Sequence, residues 1–280
     1  MASFMDKYLD DKIIVIDSLN LAFRFKKNKS FASKYLRTIR SFAQSYKCNR
    51  VVLVGDWGSY WRKDLYPEYK ANRDEMRARE TEEEKEEFRL FLDEYNKALD
   101  FCREEFLVLK YKGVEGDDIA AYIASNWRDK FNRVWLISSD NDWKLMLQPR
   151  VSIFNQLKNQ EITTENFKEL FGYDWHLFLG VKALQGDKSD NIFGVSGIGE
   201  KRAISLMESY GTIYDLIESI PIPNPRKYKH IDNLNASREA LERNLQLMDC
   251  IAYCEEAIGA ENCESIDKLV GKLADNPNNF

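Results

Sequence analysis

Nine carboxylates recur at places where a chain can bring them together: Asp17, Asp56, Glu115, Asp117, Asp118, Asp140, Asp142, Asp187 and Asp190. Three of them close short apolar runs: Lys12-Ile-Ile-Val-Ile-Asp17, Arg50-Val-Val-Leu-Val-Gly-Asp56 and Arg133-Val-Trp-Leu-Ile-Ser-Ser-Asp140. Glu115, Asp117 and Asp118 fall in Gly113-Val-Glu-Gly-Asp-Asp118, which opens a helix. Taken singly, an aspartate ahead of a helix reads equally well as an N-cap. As a set, so many close acids would repel one another and take up protons unless a cation neutralised them. Oxygen donors without Cys or His favour Mg²⁺ or Mn²⁺. A strand ending in aspartate could also supply the nucleophile of a phosphatase, but that chemistry usually needs a second acid two residues on, where this chain has Leu19.

Two basic stretches accompany the acids. Trp61-Arg-Lys-Asp-Leu-Tyr-Pro-Glu-Tyr-Lys-Ala-Asn-Arg73, with Arg77 and Arg79, mixes cations with Trp61, Tyr66 and Tyr69. Cations meet phosphates and rings stack on bases, so the segment suits a flexible nucleic-acid strand. Asp74, Glu75 and Glu80 equally allow a solvated helix face laced with ion pairs. Further on, Gly197-Ile-Gly199 permits close backbone approach, and a helix begins directly after it. The free N–H groups of that terminus, with Lys201 and Arg202, suit a phosphate. The segment resembles a helix-hairpin-helix, which grips a duplex backbone without reading sequence. Asp187 and Asp190, three apart, immediately precede it. Arg226-Lys-Tyr-Lys-His230 is basic but unspecific.

The apolar runs, with Phe106-Leu-Val-Leu-Lys110 as a fourth and Val151-Ser-Ile-Phe154 as a further one, alternate with helical spacing over 31–47, 82–104 and 118–130. That alternation predicts a mostly parallel sheet flanked by helices, its strands buried on both faces. In such sheets the carboxyl ends of the strands converge on one crevice. Asp140 and Asp142 are expected on an extended strand end, both facing it. Helices are expected over 163–171, 174–185 and 236–254, with a fraying tail. The organisation expected is an α/β core over 1–154, with an insertion at about 57–104, and a helical region over 155–280 that shares the site.

A chain of 280 residues, 44% hydrophobic, can bury a substantial core. Five widely spaced cysteines without a C-x-x-C, and only His176 and His230, argue for reduced thiols and against a zinc site. No apolar run approaches the roughly 20 residues that span a membrane. Met1 to Lys12, with Asp6, Asp10 and Asp11, lacks the apolar core of a signal peptide, which predicts a cytoplasmic protein. The net charge of −5 argues against nucleic acid only until it is placed. With the nine carboxylates set aside, the remainder carries +4.

In chain order, Ile16-Asp17…Asn20, Gly55-Asp56, Tyr69-Lys-Ala-Asn-Arg73, Glu115-Gly-Asp-Asp118, Ser138-Ser-Asp-Asn-Asp142, Gly186-Asp-Lys-Ser-Asp-Asn191 and Gly197-Ile-Gly-Glu-Lys201 resemble the bacteriophage branch of the flap-endonuclease or 5′–3′ exonuclease family, related to the 5′-nuclease domain of bacterial DNA polymerase I. The resemblance implies a PIN-like α/β core, a helical arch and a helix-hairpin-helix. It implies two metal subsites, one at Asp17, Asp56, Glu115, Asp117 and Asp118, the other at Asp118, Asp140, Asp142, Asp187 and Asp190. Mg²⁺, replaceable by Mn²⁺, is the expected ion, and K⁺ is a candidate at the hairpin. Lys70, Arg73 and the shared Asp118 take catalytic roles, while Arg24, Tyr69, Gly197, Gly199, Lys201 and Arg202 are expected DNA contacts. Trp57 departs from the smaller or charged residue expected after Asp56. The implied partner is DNA with 5′ single-stranded arms or flaps, with RNA–DNA hybrids, a replication polymerase and a single-strand-binding protein as further candidates. The setting is the cytoplasm, that of a host cell if the chain is phage-encoded. A primer-removing nuclease on RNA–DNA hybrids is the alternative enzyme. A non-catalytic DNA-structure-binding protein would show gaps among the acids, and none is seen.

Overall fold

The strand β1 (Lys12–Asp17) is buried from Ile13 to Asp17, as a run of β-branched residues covered on both faces should be. In the computed structural model, which describes residues 11–26 and 30–276, it pairs in parallel with β2 (Val51–Val54) and β4 (Arg133–Ile137). β3 (Leu107–Leu109) and β5 (Val151–Asn155) extend the parallel sheet on either side. β6 (Gln160–Ile162) closes the edge antiparallel, giving the order β3-β2-β1-β4-β5-β6. The chain leaves β1 for β2 on one side and later enters β4 on the other. The carboxyl end of β1 therefore stands at a topological switch point, where open α/β sheets build their sites.

The chain forms two compact units, one within Met1–Trp61, Glu80–Thr163 and Cys254–Phe280, the other Arg62–Arg79 with Thr164–Tyr253. In the first, helices Phe31–Ser45 and Glu82–Cys102 bury Tyr35, Ile39, Phe91, Tyr95 and Leu99 in one core with Ile14, Ile16 and Leu53. Thr81 and Glu84 start the longer helix with a reciprocal capping box, as the Thr-Glu-Glu-Glu sequence predicts. Helix Gly116–Asn126 packs against β1 and β2. The final helix, Ala260–Asp275, returns to this unit. Its Asp267 accepts hydrogen bonds from the Tyr122 hydroxyl (2.9 Å) and the Trp127 indole (2.9 Å).

In the second unit, helices Phe178–Gln185 and Glu200–Tyr210 meet closely enough that a Cβ on Gly180 would fall 1.9 Å from the Met207 sulfur. Between them Gly186–Asp187 pairs antiparallel with Ile192–Phe193. Gly186, at φ +75, lies where a Cβ would strike the Gly194 nitrogen at 2.2 Å, so glycine is required twice over.

Several expectations change. β4 ends at Ile137, so Asp140 and Asp142 lie beyond the strand rather than on it. Asp142 opens a 3₁₀ helix, Asp142–Met146, and its amide bonds back to the Asp140 carboxylate at 2.9 Å. Residues 160–162 join the sheet, which delays the next helix to Phe167–Phe171, and 174–185 starts as a 3₁₀ turn. The helix expected over 236–254 breaks at Asp249 into Arg238–Met248 and Cys250–Ile258, because the Asp249 carboxylate caps the second by accepting from the Ala252 amide. A boundary at 154 is not where the packing divides the chain: residues 254–276 join the first unit and 62–79 the second. The 57–104 insertion consists of helices Tyr60–Leu65, Ala71–Ala78 and Glu82–Cys102. Asp6 and Asp10 of the N-terminal stretch, and the tail from Pro277, lie outside the described residues. No helix among the described residues is long and apolar enough to cross a membrane.

Candidate active site

Asp17 both caps helix Ser18–Phe23 and enters the acidic cluster. Its Oδ1 accepts from the Asn20 amide (3.0 Å) and its Oδ2 from the Ser138 hydroxyl (2.8 Å). The same Ser138 oxygen accepts from the Asp140 amide at 3.0 Å, so one side chain sets the spacing between two acids from neighbouring strands. Asp56 accepts from the Gly116 amide at 2.6 Å, which ties the end of β2 to the helix that carries Asp117 and Asp118. Glu115 occupies the N-cap position of that helix without a side-chain cap and is only 7% exposed. Asp117 accepts from the indole of the fully buried Trp143 at 2.7 Å. Asp118 is 1% exposed.

The members of this group act on one another's charge. Burial, then the charges of Asp56 and Asp140, push the Asp17 carboxyl up to about 8, against the pull of the Asn20 amide and Ser138. Burial also holds Asp117 well above the carboxylate range, helped by Asp56, Asp17, Asp140 and Glu115. Five acids thus share one field, and such a set takes up cations or protons. Hard oxygen donors with raised proton affinity fit a divalent ion such as Mg²⁺.

The second unit holds a different arrangement. The Lys182 ammonium pairs with Asp187, and Ser189 donates to it from both its amide and its hydroxyl. Burial alone would raise this carboxyl, but Lys182 and Ser189 together lower it to about 2. Asp190 accepts from Arg73 at 2.6 Å and Tyr69 at 3.2 Å, with the Lys70 ammonium 3.7 Å away. The Lys70 amide donates to the Asp190 carbonyl at 3.0 Å, and Lys70 adopts a left-handed backbone, φ +57. Lys70 and Arg73 are therefore brought together, on an expected metal ligand. Tyr69 differs from expectation. It is 3% exposed with its hydroxyl on Asp190, so it braces the cluster and offers no face to a base.

Arg24, Lys201 and Arg202 are all exposed. Gly197 takes φ +84, and the Arg202 guanidinium closes its turn by donating to the Gly197 carbonyl at 2.6 Å. Gly199 caps helix Glu200–Tyr210 in extended backbone, and a Cβ there would meet nothing within 4 Å. Among the described residues, none crowds that position. Ser138, Asn20 and Lys182 carry positioning work that sequence reasoning did not assign. Asn20 and Ser138 stood within the motifs quoted for the resemblance without a role, and Lys182 had only its place five residues before Asp187 as a signal.

Residues 12–172 match the family described as 5′-3′ exonuclease, N-terminal resolvase-like domain, and residues 175–268 the 5′-3′ exonuclease, C-terminal SAM fold. The chain belongs to the 5′–3′ exonuclease family. The flap endonuclease of Escherichia phage T5 is 41% identical over 92% of this chain and 89% of its own length. A T5 flap endonuclease variant solved as a pseudo-enzyme–product complex with DNA and metal ions superposes with a TM-score of 0.89, at 39% identity over 95% of this chain and all of that one. The T5 5′-exonuclease with bound zinc ions gives 0.88 at 40% identity, covering 94% and 99%. This 5′–3′ exonuclease thus has the resolvase-like α/β core and SAM-like C-terminal region of a nuclease, with the acids of the core at the sheet's switch point.

Proposed function

We propose that this chain is a divalent-metal-dependent, structure-specific nuclease that cuts DNA near the junction of a 5′ single strand with duplex. The observation that carries this is the group Asp17, Asp56, Glu115, Asp117 and Asp140, whose crowding raises proton affinity at the switch point of the sheet. Asp17, Asp56, Glu115, Asp117 and Asp118 would hold one Mg²⁺, and Asp118, Asp140, Asp142, Asp187 and Asp190 a second. Ions bound there would supply an activated water and stabilise charge on the scissile phosphate. Asn20 and Ser138 keep Asp17 and Asp140 in register. Lys70 and Arg73 bring positive charge to the phosphate, and the Gly197–Gly199 turn holds the duplex by its backbone.

Excess chelator should abolish cleavage of an end-labelled 5′-flap DNA, and Mg²⁺ or Mn²⁺ should restore it. Ca²⁺ should support binding without hydrolysis. Full cleavage in chelator would sink the metal reading. Run beside flap, nicked, blunt and RNA-primed substrates, the same assay ranks their preference.

Lys201→Ala, alone or with Arg202→Ala, should weaken duplex-containing DNA more than single strands. The salt dependence of binding should flatten by about one unit of slope per lost phosphate contact. Equal losses on both kinds of DNA would show that the turn is no duplex grip.

A further inference from the structure

Trp57 directly follows Asp56 and stands 56% exposed, an expensive position for an indole that serves no purpose in water. Its loop is rigid. The Trp57 amide donates to the Val114 carbonyl (3.0 Å), the Gly113 amide returns a bond to Trp57 (2.8 Å), and the Tyr60 amide donates to Gly113 (2.9 Å). Gly113, at φ +75, lies under the Tyr60 ring, where a Cβ would come within 2.3 Å. Two loops that leave β2 and β3 are thereby clamped together beside Asp56 and Glu115. Lys110 rises through this clamp. Its stem lies against Gly55, where a Cβ would be 3.2 Å from its Cδ, and its ammonium donates to Asn96 at 3.0 Å. That ammonium stands 5.9 Å from the Trp57 ring centroid and 5.2 Å from that of Tyr95. An exposed ring backed by a cation, next to a phosphodiester-cutting centre, has the composition of a single-strand subsite.

We propose that Trp57 and Lys110 form a nucleotide subsite, the indole stacking on one unpaired base of the DNA strand and the ammonium meeting its phosphate. This rests on the reading of the chain as a DNA nuclease. Trp57 departs from the smaller or charged residue that the family resemblance leads one to expect after Asp56. The subsite adds a grip on the strand that does not depend on base identity, since every base has a face to stack.

The test uses the full chain in Ca²⁺ and 5′-flap DNAs carrying one abasic site walked across the junction. Trp57→Ala should weaken intact flap DNA by about 5- to 100-fold, with Trp57→Phe retaining most of the affinity. At one abasic position wild-type protein should lose the same factor, and Trp57→Ala should lose nothing more. Lys110→Met should flatten the salt slope by about one. Unchanged binding by Trp57→Ala, or a loss indifferent to the abasic position, would overturn the subsite while leaving the nuclease reading intact. Failure of wild-type protein to bind any flap DNA would overturn both. Because the indole is more than half exposed, the variants should melt as wild type does, which thermal unfolding checks.

Discussion

Lys70→Ala should leave flap DNA bound and slow its cleavage by about 10²–10³-fold, the usual cost of losing one electrostatic stabiliser of a transition state. A group that meets charge mainly as the bond breaks lowers kcat far more than affinity. Asp190 keeps Arg73 at 2.6 Å when Lys70 is gone, so the second unit is not left with a bare buried acid. Dissociation constants in Ca²⁺ should therefore move by less than about tenfold, while single-turnover rates in Mg²⁺ fall by the larger factor. Lys70→Gly separates charge from backbone, because glycine relaxes the left-handed φ of +57 that both lysine and alanine must bear. If binding collapsed while the rate at saturation survived, Lys70 would be a tether for the strand and not part of the chemistry.

Asp17→Asn should disable the nuclease and stabilise the metal-free protein. The amide oxygen still accepts from Asn20 or Ser138, so the local geometry survives while the charge is lost. Cleavage should fall by at least about 10²-fold. The folded-state value of about 8 lies above the ordinary carboxylate value. Metal-free wild-type protein therefore loses stability as pH rises from about 4 through 8, where folding must hold a carboxylate charged against burial and Asp56. Asparagine does not titrate, so at pH 8.5 the variant should melt higher by several degrees, and the gap should close towards pH 5. Saturating Mg²⁺ should reverse the order, since only wild type gains from the ion. Calorimetry across pH with and without Mg²⁺ reads all of this. An unchanged metal-free melting temperature at pH 8.5 would mean that Asp17 is not the strained member of the cluster.

The parallel strands and the acids at their ends were legible because period and burial agree. Ile13 to Ile16, Val51 to Val54 and Val134 to Ile137 read as doubly covered strands, and Asp17, Asp56 and Asp140 follow them within one to three residues. What was hidden depends on partners remote in sequence. Nothing in Tyr69 announces that its hydroxyl will reach Asp190, so a tyrosine among cations read as a base-stacking ring. Gln160–Ile162 has no strand pattern of its own and joins the sheet because β5 offers it an edge. The helix Ala260–Asp275 was overlooked because its apolar face (Cys263, Ile266, Val270, Leu273) is spaced among acids and lysines and explained only by what it covers. Asp249 looked like a helix interior, although aspartate at such a point caps the next helix instead.

The return of that last helix also sets an order of events for synthesis. Arg50 donates to the Ala274 carbonyl at 2.9 Å, a bond between residues 224 positions apart. Contacts of that span are made late and are slow to close. A chain emerging N-terminus first would expose β1, β2 and the acids they carry long before Asp267 arrives to hold Tyr122 and Trp127. Those two residues buttress the helix of Asp117 and Asp118. The sheet is written early, and its nuclease centre gains full support only once helix Ala260–Asp275 has been made, so a ribosome-bound chain carries the acids before it carries their scaffold.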